Sequence, residues 1–402
     1  MASRKLAPVG RSSERLFAAG LAGVHVDEYR LRVRSVLIDA VLPLLAQAEA
    51  ERKFPREALR HLGTSGLIRE RWPAGDPGDE GRAVILCEEL GRTGLGGLGI
   101  GLLLQVQAVL SILVKFGRNE LLSNYAAAVL DGELIGCLAA TESHGGSDLS
   151  SVTTTAAREG DGWRIRGSKW FVSPGGAADF VIALCRLEGS GDLALAVVPR
   201  SGFQARQLDT MGVRSLATAR LSIDAAIPEE AMIAASGSGL RAITWGLTHE
   251  RLGVAAFMLG TAVLALELST THLQRRSTFG SRLFDHQALR LRLAAMWSEV
   301  RLAQRGMHAV AATFSTPDAA SARECAGIKA TVSLLAERVV TECMHLFGGS
   351  GYLDTESPLA RLLGDCHLGR LGAGTDEMMW ELVAGGLLPA DDVYDRFVDV
   401  TA

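Results

Sequence analysis

The hydrophobic pattern of this chain changes its period twice. From Val26 to Glu51 apolar residues recur at the three- and four-residue spacing of an amphipathic helix, and helical spacing continues, with interruptions, to residue 131. From Gly132 short alternating and β-branched segments follow one another, separated by turns that contain Gly, Asp or Pro. Helical spacing returns after Pro228 and persists to the C-terminus. The pattern therefore predicts helices, then a β domain, then helices again.

These periods define the predicted domains. We expect a loose leader over residues 1–25, a helical domain over 26–131, an antiparallel β-barrel or sandwich over 132–235 and a helical bundle over 236–402. The fold class is α+β, mainly α. The predicted strands are Leu134–Ala140, Val152–Ala157, Trp163–Arg166, Phe180–Leu184, Leu193–Val198 and Ala219–Ile223.

A glycine cluster interrupts the predicted N-terminal helices. Gly94 to Gly99 matches the G-x-G-x-x-G pattern of dinucleotide-binding proteins, but that pattern requires a strand before it and a helix after it. Here it follows Val84–Leu90, whose spacing is helical. We therefore predict a loop between two helices and no dinucleotide site. The other predicted helices are Val26–Glu51, Arg56–Leu67, Asn119–Leu130, Leu240–Arg275, Phe284–Phe314, Pro317–Leu346, Ser357–Gly364, Thr375–Ala384 and Asp391–Val400.

Composition and charge narrow the classes of function. The chain of 402 residues is 48% hydrophobic and 21% charged, with a formal net charge of −4, which is typical of a packed protein. Acidic and basic residues are mixed, so we expect neither nucleic-acid binding nor attachment to an anionic membrane. The longest apolar run, Leu252–Leu266, is shorter than the ~20 residues that a bilayer requires, and it predicts a buried helix.

The six cysteines are scattered along the chain. No two of them have the Cys-x-x-Cys spacing, and no histidine lies at the spacing of a zinc site. We therefore expect buried reduced thiols, no metal site and a cytoplasmic location.

The segment Thr248–Gln287 combines charge with apolar character. It opens on His249-Glu250-Arg251, continues through the apolar helix and ends in the basic, Gly-turned residues 275–280. A charge beside an apolar helix is costly unless it is paired or functional. On spacing alone two interpretations remain open. Glu250 is either a catalytic base, or a helix-start carboxylate that pairs with Arg251 and is favoured by the helix dipole.

Further stretches combine glycine with hydroxyl, aromatic or charged residues: Cys137–Asp148, Gly167–Asp179, His345–Tyr352 and Leu371–Glu377. A Gly-rich turn can bring its backbone N–H groups close to a flat or phosphorylated ligand, but each stretch alone is a weak signal. In their combination and order, and together with Thr248–Gln287, these stretches resemble the acyl-CoA dehydrogenase family from about residue 26 to residue 388.

The resemblance implies a fold, a cofactor and a reaction. Members of the family have a helical domain, a β domain and a C-terminal four-helix bundle, bind FAD and usually form tetramers or dimers of dimers. They oxidise an acyl thioester to its α,β-unsaturated product: a carboxylate takes the α proton while the β hydride passes to flavin N5. An electron-transfer flavoprotein usually accepts the electrons of the reduced flavin. We expect the same cofactor and acceptor here, in a homotetramer or homodimer.

The resemblance also assigns cofactor contacts by position. The strand against the flavin ring would carry Leu138, Ala140 and the Thr141 hydroxyl, and the turn at Gly146 and Ser147 would lie near the pyrophosphate and the thioester arm. The remaining predicted contacts are Phe171 and Ser173 beside the isoalloxazine, Arg276, Phe279 and Gln287 on the FAD of a neighbouring subunit, His345, Gly348 and Gly349 over the adenosine half, and Thr375 and Glu377 on the ADP part.

The catalytic base departs from the common family pattern. Many members carry the base as Glu where this chain has Ala373, which cannot accept a proton. The isovaleryl and long-chain branches supply it instead from a Glu-Arg pair, and Glu250-Arg251 matches that pair. We therefore predict Glu250 as the base, and Arg251 and Ser147 as contacts of a CoA or carrier-protein thioester. A flavin monooxygenase, which has no use for that base, and a non-catalytic scaffold remain as alternatives.

Overall fold

The computed structural model describes residues 24–73, 75, 78–234, 237–314 and 319–398, and nearly all of the predicted leader lies outside them. The helices of the N-terminal domain are α1 Val24–Val36, α2 Leu45–Glu51, α3 Arg56–Thr64, α4 Glu80–Arg92, α5 Gly96–Leu104, α6 Leu110–Phe116 and α7 Glu120–Leu130. The helix predicted over Val26–Glu51 is interrupted by a π-helical turn at Leu37–Val41 and a 3₁₀ turn at Leu42–Leu44. Pro43 lies in this 3₁₀ turn. It interrupts the α-helix because proline lacks the N–H group that an intrahelical hydrogen bond requires.

Residues 93–95 join α4 to α5, so the predicted break between two helices is confirmed, but the loop is shorter than predicted because Gly96 to Gly99 form the first turn of α5. A Cβ added at Gly97 would lie 2.5 Å from the carbonyl oxygen of Val213, and one added at Gly99 would lie 2.7 Å from the ring of Phe257. These glycines therefore let α5 pack closely against a β-domain loop and against the long C-terminal helix.

The middle domain is one sheet, whose strands are β1 Gly136–Ala139, β2 Thr155–Glu159, β3 Gly162–Val172, β4 Phe180–Leu187, β5 Leu193–Pro199, β6 Phe203–Gln207, β7 Ala219–Pro228 and β8 Met232–Ile233. Their order is β6-β7-β3-β2-β4-β5-β8, with β1 beside β4. The expectation of an antiparallel sheet is wrong in part, because β4 pairs in parallel with both β1 and β2. The long connections between these strands allow the parallel pairs.

The long helices of the C-terminal domain are α8 Gly239–Arg275, α9 Gln287–Thr313, α10 Ala319–Phe347 and α12 Leu359–Leu371. The shorter elements are the hairpin β9 Ser277–Thr278 and β10 Ser281–Arg282, and the helices α11 Gly349–Tyr352, α13 Asp376–Ala384 and α14 Asp391–Phe397. α8 packs against α10 within the bundle and against α4 of the N-terminal domain. One 37-residue helix therefore contributes to the cores of two domains.

Two helical segments, Gly96–Phe116 and Gly239–Arg275, are long and apolar enough to cross a membrane. In the fold, 89% and 83% of their most apolar windows are buried inside the protein. The prediction that Leu252–Leu266 forms a buried helix is thus confirmed. The six cysteines are also buried and free, as their spacing predicted.

Candidate active site

The first group of predicted ligand residues lies at the end of β1. Leu138 and Ala140 are half-buried and alternate with fully buried residues, so they face the same side of the strand. The carbonyl of Thr141 accepts a 2.8 Å hydrogen bond from the backbone N–H of Trp170. This bond brings the end of β1 next to the end of β3, which carries Trp170 and Phe171.

Phe171 presents an unusual surface. Its ring is 64% exposed, and its backbone has a φ of 54°, a region that a bulky residue rarely occupies. Two residues later the Ser173 hydroxyl lies 2.8 Å from the Thr218 hydroxyl. An exposed aromatic side chain held in a strained backbone indicates a ligand contact. The structure thus brings Phe171 and Ser173 together with the predicted strand residues around one surface of the β domain.

The turn that carries Gly146 and Ser147 is held by a buried carboxylate that the sequence did not single out. Glu142 accepts hydrogen bonds from the backbone N–H groups of Thr153 (2.8 Å) and Thr154 (2.9 Å) and from Lys169 Nζ (2.8 Å). Lys169 also donates to a carbonyl of the predicted flavin strand, at 3.2 Å. Burial raises the pKa of Glu142, but the hydrogen bonds outweigh it and lower the pKa to about 2.

Gly146 and Ser147 themselves are exposed on this turn. A Cβ added at Gly146 would lie 2.9 Å from the Thr141 side chain, so the turn folds back closely over the end of the strand. The signal in the sequence was the Thr141-Glu142 pair followed by glycines. The partner of Glu142, Lys169, is 27 residues away, and no local spacing connects the two.

The second group surrounds Glu250. This residue lies eleven positions after the start of α8 at Gly239, about 17 Å along the helix. The interpretation of Glu250 as a helix-start carboxylate is therefore wrong, because the helix dipole acts only within the first turn. The neighbouring residue His249 is also far from the start of the helix. Its imidazole is buried and lies 2.9 Å from the Glu80 carboxylate.

Glu250 is a buried carboxylate whose pKa is raised. Only 9% of the residue is exposed. Burial raises its pKa to about 7, while the positive charges of Arg251 and Lys329 oppose the rise. A carboxyl group with a pKa near neutrality can both accept and release a proton, as a general base requires.

Both of these cations are bonded to the turn that follows α12. Arg251 Nε donates to the carbonyl of Ala373 at 3.0 Å, and Lys329 Nζ donates to the carbonyl of Gly374 at 2.5 Å. Ala373 and Gly374 both have positive φ angles, 57° and 106°. The position that holds the base in many family members therefore lies beside Arg251, the neighbour of Glu250. The sequence did not single out Lys329, which is a lone charge on an otherwise apolar helical face.

Thr375 and Glu377 belong to this second group. The Thr375 hydroxyl accepts a hydrogen bond from Met378 N at 3.4 Å and so caps α13. Glu377 is exposed in the first turn of the same helix. The structure places both next to the Gly374 turn, away from the other predicted adenosine contacts.

The third group lines a cavity of about 500 Å³ at the opposite end of α8. Its walls include Arg276, His345, Gly348 and Gly349, four of the predicted cofactor contacts. Side chains added at either glycine would enter open space, so the backbone of this turn is accessible. Additional basic groups in the wall are His272 and Arg292.

Phe279 and Gln287 flank this cavity on the chain. Phe279 is 97% exposed and has a φ of 50°, so a large aromatic side chain stands on the surface in a strained backbone. Gln287 is exposed at the first position of α9. Glu250 lies on α8 and Arg276 is the first residue after this helix, twenty-six positions further along the chain and about 39 Å away along the helix axis.

The donor chemistry of these groups suits FAD. The first group offers a flat apolar face with hydroxyls, as an isoalloxazine ring requires. The third group offers basic side chains and accessible backbone around a Gly-rich turn, which suits phosphate. Phe171, Ser173 and the end of β1 would hold the ring, and Arg276 with the glycine turn would hold the phosphate and adenosine parts.

A loop connects the β-domain surface to the helical bundle. Thr218 of this loop contacts Ser173, and the backbone N–H of Val213 donates to the Asp365 carboxylate on α12 at 2.5 Å. Arg361 pairs with the same carboxylate at 2.8 Å. Apart from Ser173, none of these residues carries a signal of function in the sequence. They fix the first group relative to the helix that leads into the Ala373 turn.

Three family models together match most of the chain. The N-terminal domain of acyl-CoA dehydrogenase matches residues 15–133, its middle domain matches residues 137–226, and its C-terminal domain matches residues 237–388.

Individual relatives cover nearly the whole chain. Acyl-[acyl-carrier-protein] dehydrogenase MbtN of Mycolicibacterium paratuberculosis is 38% identical over 90% of this chain and 94% of its own length. The mitochondrial short-chain specific acyl-CoA dehydrogenase of Bos taurus is 30% identical over 87% of this chain and 86% of its own.

Solved structures show the same arrangement of domains. A putative acyl-CoA dehydrogenase from Mycobacterium smegmatis superimposes with a TM-score of 0.85 at 31% identity, over 91% of this chain and 98% of that one. A glutaryl-CoA dehydrogenase from Mycobacterium smegmatis in complex with FADH2 has a TM-score of 0.83 at 22% identity, over 93% and 96% of the two chains. The second likeness shows the shared fold.

Proposed function

The chain belongs to the acyl-CoA dehydrogenase family, and on that premise we propose that it dehydrogenates an acyl thioester between Cα and Cβ, with Glu250 as the base. The observation that carries this assignment is the buried Glu250 carboxylate, whose pKa is about 7 and which lies between two cations bonded to the Ala373–Gly374 turn. The α proton of a thioester is weakly acidic. Its removal therefore needs a base with a pKa near the working pH in a site that excludes water.

Different residues of the chain have different roles in the proposed reaction. Glu250 takes the α proton. The positive charge of Arg251 limits the rise in the pKa of Glu250 and so favours the ionised carboxylate. Phe171, Ser173 and the Thr141 end of β1 orient the isoalloxazine ring of FAD. FAD, when bound, supplies the acceptor of the β hydride. Ser147, exposed on the turn anchored by Glu142, would contact the thioester arm.

We propose that the acyl group is carried by an acyl carrier protein. Four curated relatives at 35–38% identity are named acyl-[acyl-carrier-protein] dehydrogenase, and each is covered over at least 94% of its own length. Relatives named for acyl-CoA substrates are less similar, at 28–30% identity. The difference in identity favours the carrier protein over CoA.

We further propose that the enzyme assembles as a homotetramer or homodimer. Glu250 on α8 and Arg276, which directly follows the last residue of α8, lie about 39 Å apart along the helix axis. This separation is explained if Glu250 serves the FAD of its own subunit and Arg276 serves the FAD of a neighbouring subunit. The exposed Phe279 ring would then be covered by that neighbour.

The physiological acceptor and the location are proposals as well. We propose that an electron-transfer flavoprotein takes the electrons, as the resemblance to the family implies. Six free, buried cysteines support a cytoplasmic location, because reduced thiols are characteristic of that compartment.

The test is an anaerobic reduction screen of the purified holoprotein. Matched acyl chains are offered as the carrier-protein thioester and as the CoA thioester, and loss of the oxidised flavin absorbance is followed. Faster bleaching by the carrier-bound chains supports the proposal, and faster bleaching by the CoA thioesters overturns the carrier assignment alone. A protein that no thioester bleaches but that reacts with oxygen after chemical reduction and hydroxylates a substrate is a monooxygenase. A protein that binds no FAD is a scaffold.

A further inference from the structure

Lys329 is a buried cation inside the helical bundle. Its relative exposure is 0%, and its neighbours along α10 are the buried residues Cys325, Ala326 and Ala330. Removing an ammonium group from water is costly unless other groups compensate its charge. A fully buried lysine therefore needs groups that compensate its charge, and the identity of those groups indicates its role.

The partners of Lys329 lie on α8, on α13 and on the turn between α12 and α13. Its Nζ donates to the Gly374 carbonyl at 2.5 Å. Its charge interacts with Asp376 and Glu377 of α13 and with Glu250 and Arg251 of α8. Asp376 is already paired with Arg370 at 2.7 Å, so much of its charge is compensated.

The turn itself contributes no charged side chain. Arg251 and Lys329 each bond one of two consecutive carbonyls, those of Ala373 and Gly374. A carbonyl orients a cation but does not neutralise it. Because residue 373 is alanine, the positive charge of both groups remains available to the Glu250 carboxylate.

We propose that Lys329 is a positioning residue for the base: together with Arg251 it pins the Ala373–Gly374 turn and keeps a fixed positive charge beside Glu250. The proposal rests on the proposed function, in which Glu250 must be ionised to act. Burial lowers the pKa of Lys329 to about 8, so the group is mostly charged at neutral pH. Its charge opposes the rise in the pKa of Glu250.

Removal of this charge has a consequence that a purely structural lysine would not have. Without it, Glu250 is protonated to a higher pH, and the bleaching rate is reduced at neutral and acidic pH but recovered in alkaline buffer. A lysine that served only packing would lower the rate at every pH or would leave it unchanged.

The experiment compares Lys329→Met, Lys329→Gln and wild-type holoprotein. Gln keeps a donor for the Gly374 carbonyl and removes the charge, so it separates the effect of the hydrogen bond to the turn from the effect of the charge. The matched control is Ser333→Ala, because Ser333 lies one turn further on α10, is also fully buried and donates to the Gly369 carbonyl at 3.0 Å. For each protein the rate of anaerobic bleaching is measured against pH.

The expected result is a rise of about one unit or more in the pKa that governs bleaching in both Lys329 variants, which reduces the rate near pH 6 roughly tenfold. Ser333→Ala should keep the wild-type pH profile. Infrared difference spectra of the oxidised holoprotein should show the protonated Glu250 carboxyl persisting to higher pH in Lys329→Gln, with Glu250→Gln identifying the band.

A wild-type pH profile and carboxyl band in the Lys329→Gln protein would overturn the role of the charge. If Lys329→Met fails to fold, Lys329→Gln carries the test. If no thioester bleaches the wild type, the proposed function fails. The infrared band tests the interaction between Lys329 and Glu250 separately, because an unshifted band in the variant would show that the charge of Lys329 does not affect Glu250.

Discussion

Arg251 Nε donates a 3.0 Å hydrogen bond to the carbonyl oxygen of Ala373. The residue next to the proposed base is thus bonded to the backbone of the position from which many members of the family supply theirs. Glu250 lies far along the chain from residue 373, yet both belong to one small region of the bundle. Relocation of the carboxylate from one position to the other therefore leaves the place of proton abstraction nearly unchanged.

Replacement of the base should stop the reaction without loss of the cofactor. In Glu250→Gln the amide has the shape of the carboxylate but cannot accept the α proton. We expect the anaerobic bleaching rate to fall by roughly 10²- to 10⁴-fold, the usual contribution of a general base. The FAD content should remain that of the wild type.

Glu267→Gln is the matched control, since Glu267 lies on the same helix and pairs with Arg92 at 2.5 Å, away from the turn. It should bleach at nearly the wild-type rate. A Glu250→Gln protein that bleaches as fast as the wild type would remove Glu250 from the mechanism.

The wild-type enzyme should be more active on the alkaline side of neutrality. The pKa of Glu250 is raised to about 7, and only the ionised carboxylate accepts a proton. The bleaching rate should therefore rise with pH through about 7 and level off above it. Stopped-flow measurements at constant ionic strength would check this. A rate that falls as the pH rises through the same range would contradict the assignment of Glu250 as a base.

The buried base should reduce the stability of the protein at alkaline pH. Its folded-state pKa of about 7 lies above the ordinary value of 4.5, so the native state holds a proton that the unfolded state has released. Stability is therefore lost as the pH rises from about 4.5 to about 7. Glu250→Gln lacks this penalty and should be more stable at pH 8 by up to about 3 kcal/mol.

Denaturant unfolding of the holoprotein at about pH 8 and about pH 5 measures this difference. The two proteins should have nearly equal stability at the lower pH. A Glu250→Gln variant that is less stable than the wild type at pH 8 would show that the ionised carboxylate stabilises the fold.

The Glu142–Lys169 pair should be necessary for the cofactor surface. Both residues are buried, and Lys169→Met would remove the ammonium partner of the Glu142 carboxylate and leave it only neutral hydrogen-bond donors from Thr153 and Thr154. We expect a loss of about 3–5 kcal/mol in the free energy of unfolding, with weaker retention of FAD. The double variant with Glu142→Gln should recover part of the stability. A double variant less stable than Lys169→Met alone would assign the loss to packing.

Variants of Glu250 and Arg276 should complement each other between subunits. Arg276→Gln should release FAD on gel filtration, whereas Arg275→Gln, whose side chain is exposed on the neighbouring position, should retain it. If each FAD meets Glu250 of one subunit and Arg276 of another, mixed assemblies of Glu250→Gln and Arg276→Gln contain intact sites. Mixing the two inactive proteins under conditions that exchange subunits should then restore bleaching. Failure to restore it would contradict the shared site.

The periodicity of the chain predicted the order of the domains, most helices and the break between helices near Gly94, because it reports local preferences. Glu250 as the base and the cofactor contacts were candidates through the resemblance of short motifs to the family. The sequence did not predict that β4 pairs in parallel with β1 and β2, since the parallel pairing of strands is decided by long-range topology.

The surroundings of each candidate residue depend on contacts between elements that are distant along the chain. Lys329 meets the Gly374 carbonyl across 45 residues, and Glu142 meets Lys169 across 27. No local spacing encodes such contacts. The pKa of Glu250 depends on how completely three packed helices exclude water and on which cations they place beside it. The chain sequence therefore specifies a carboxylate on α8, and the packing of the bundle raises the pKa of that carboxylate to about 7, as the proposed role of a base requires.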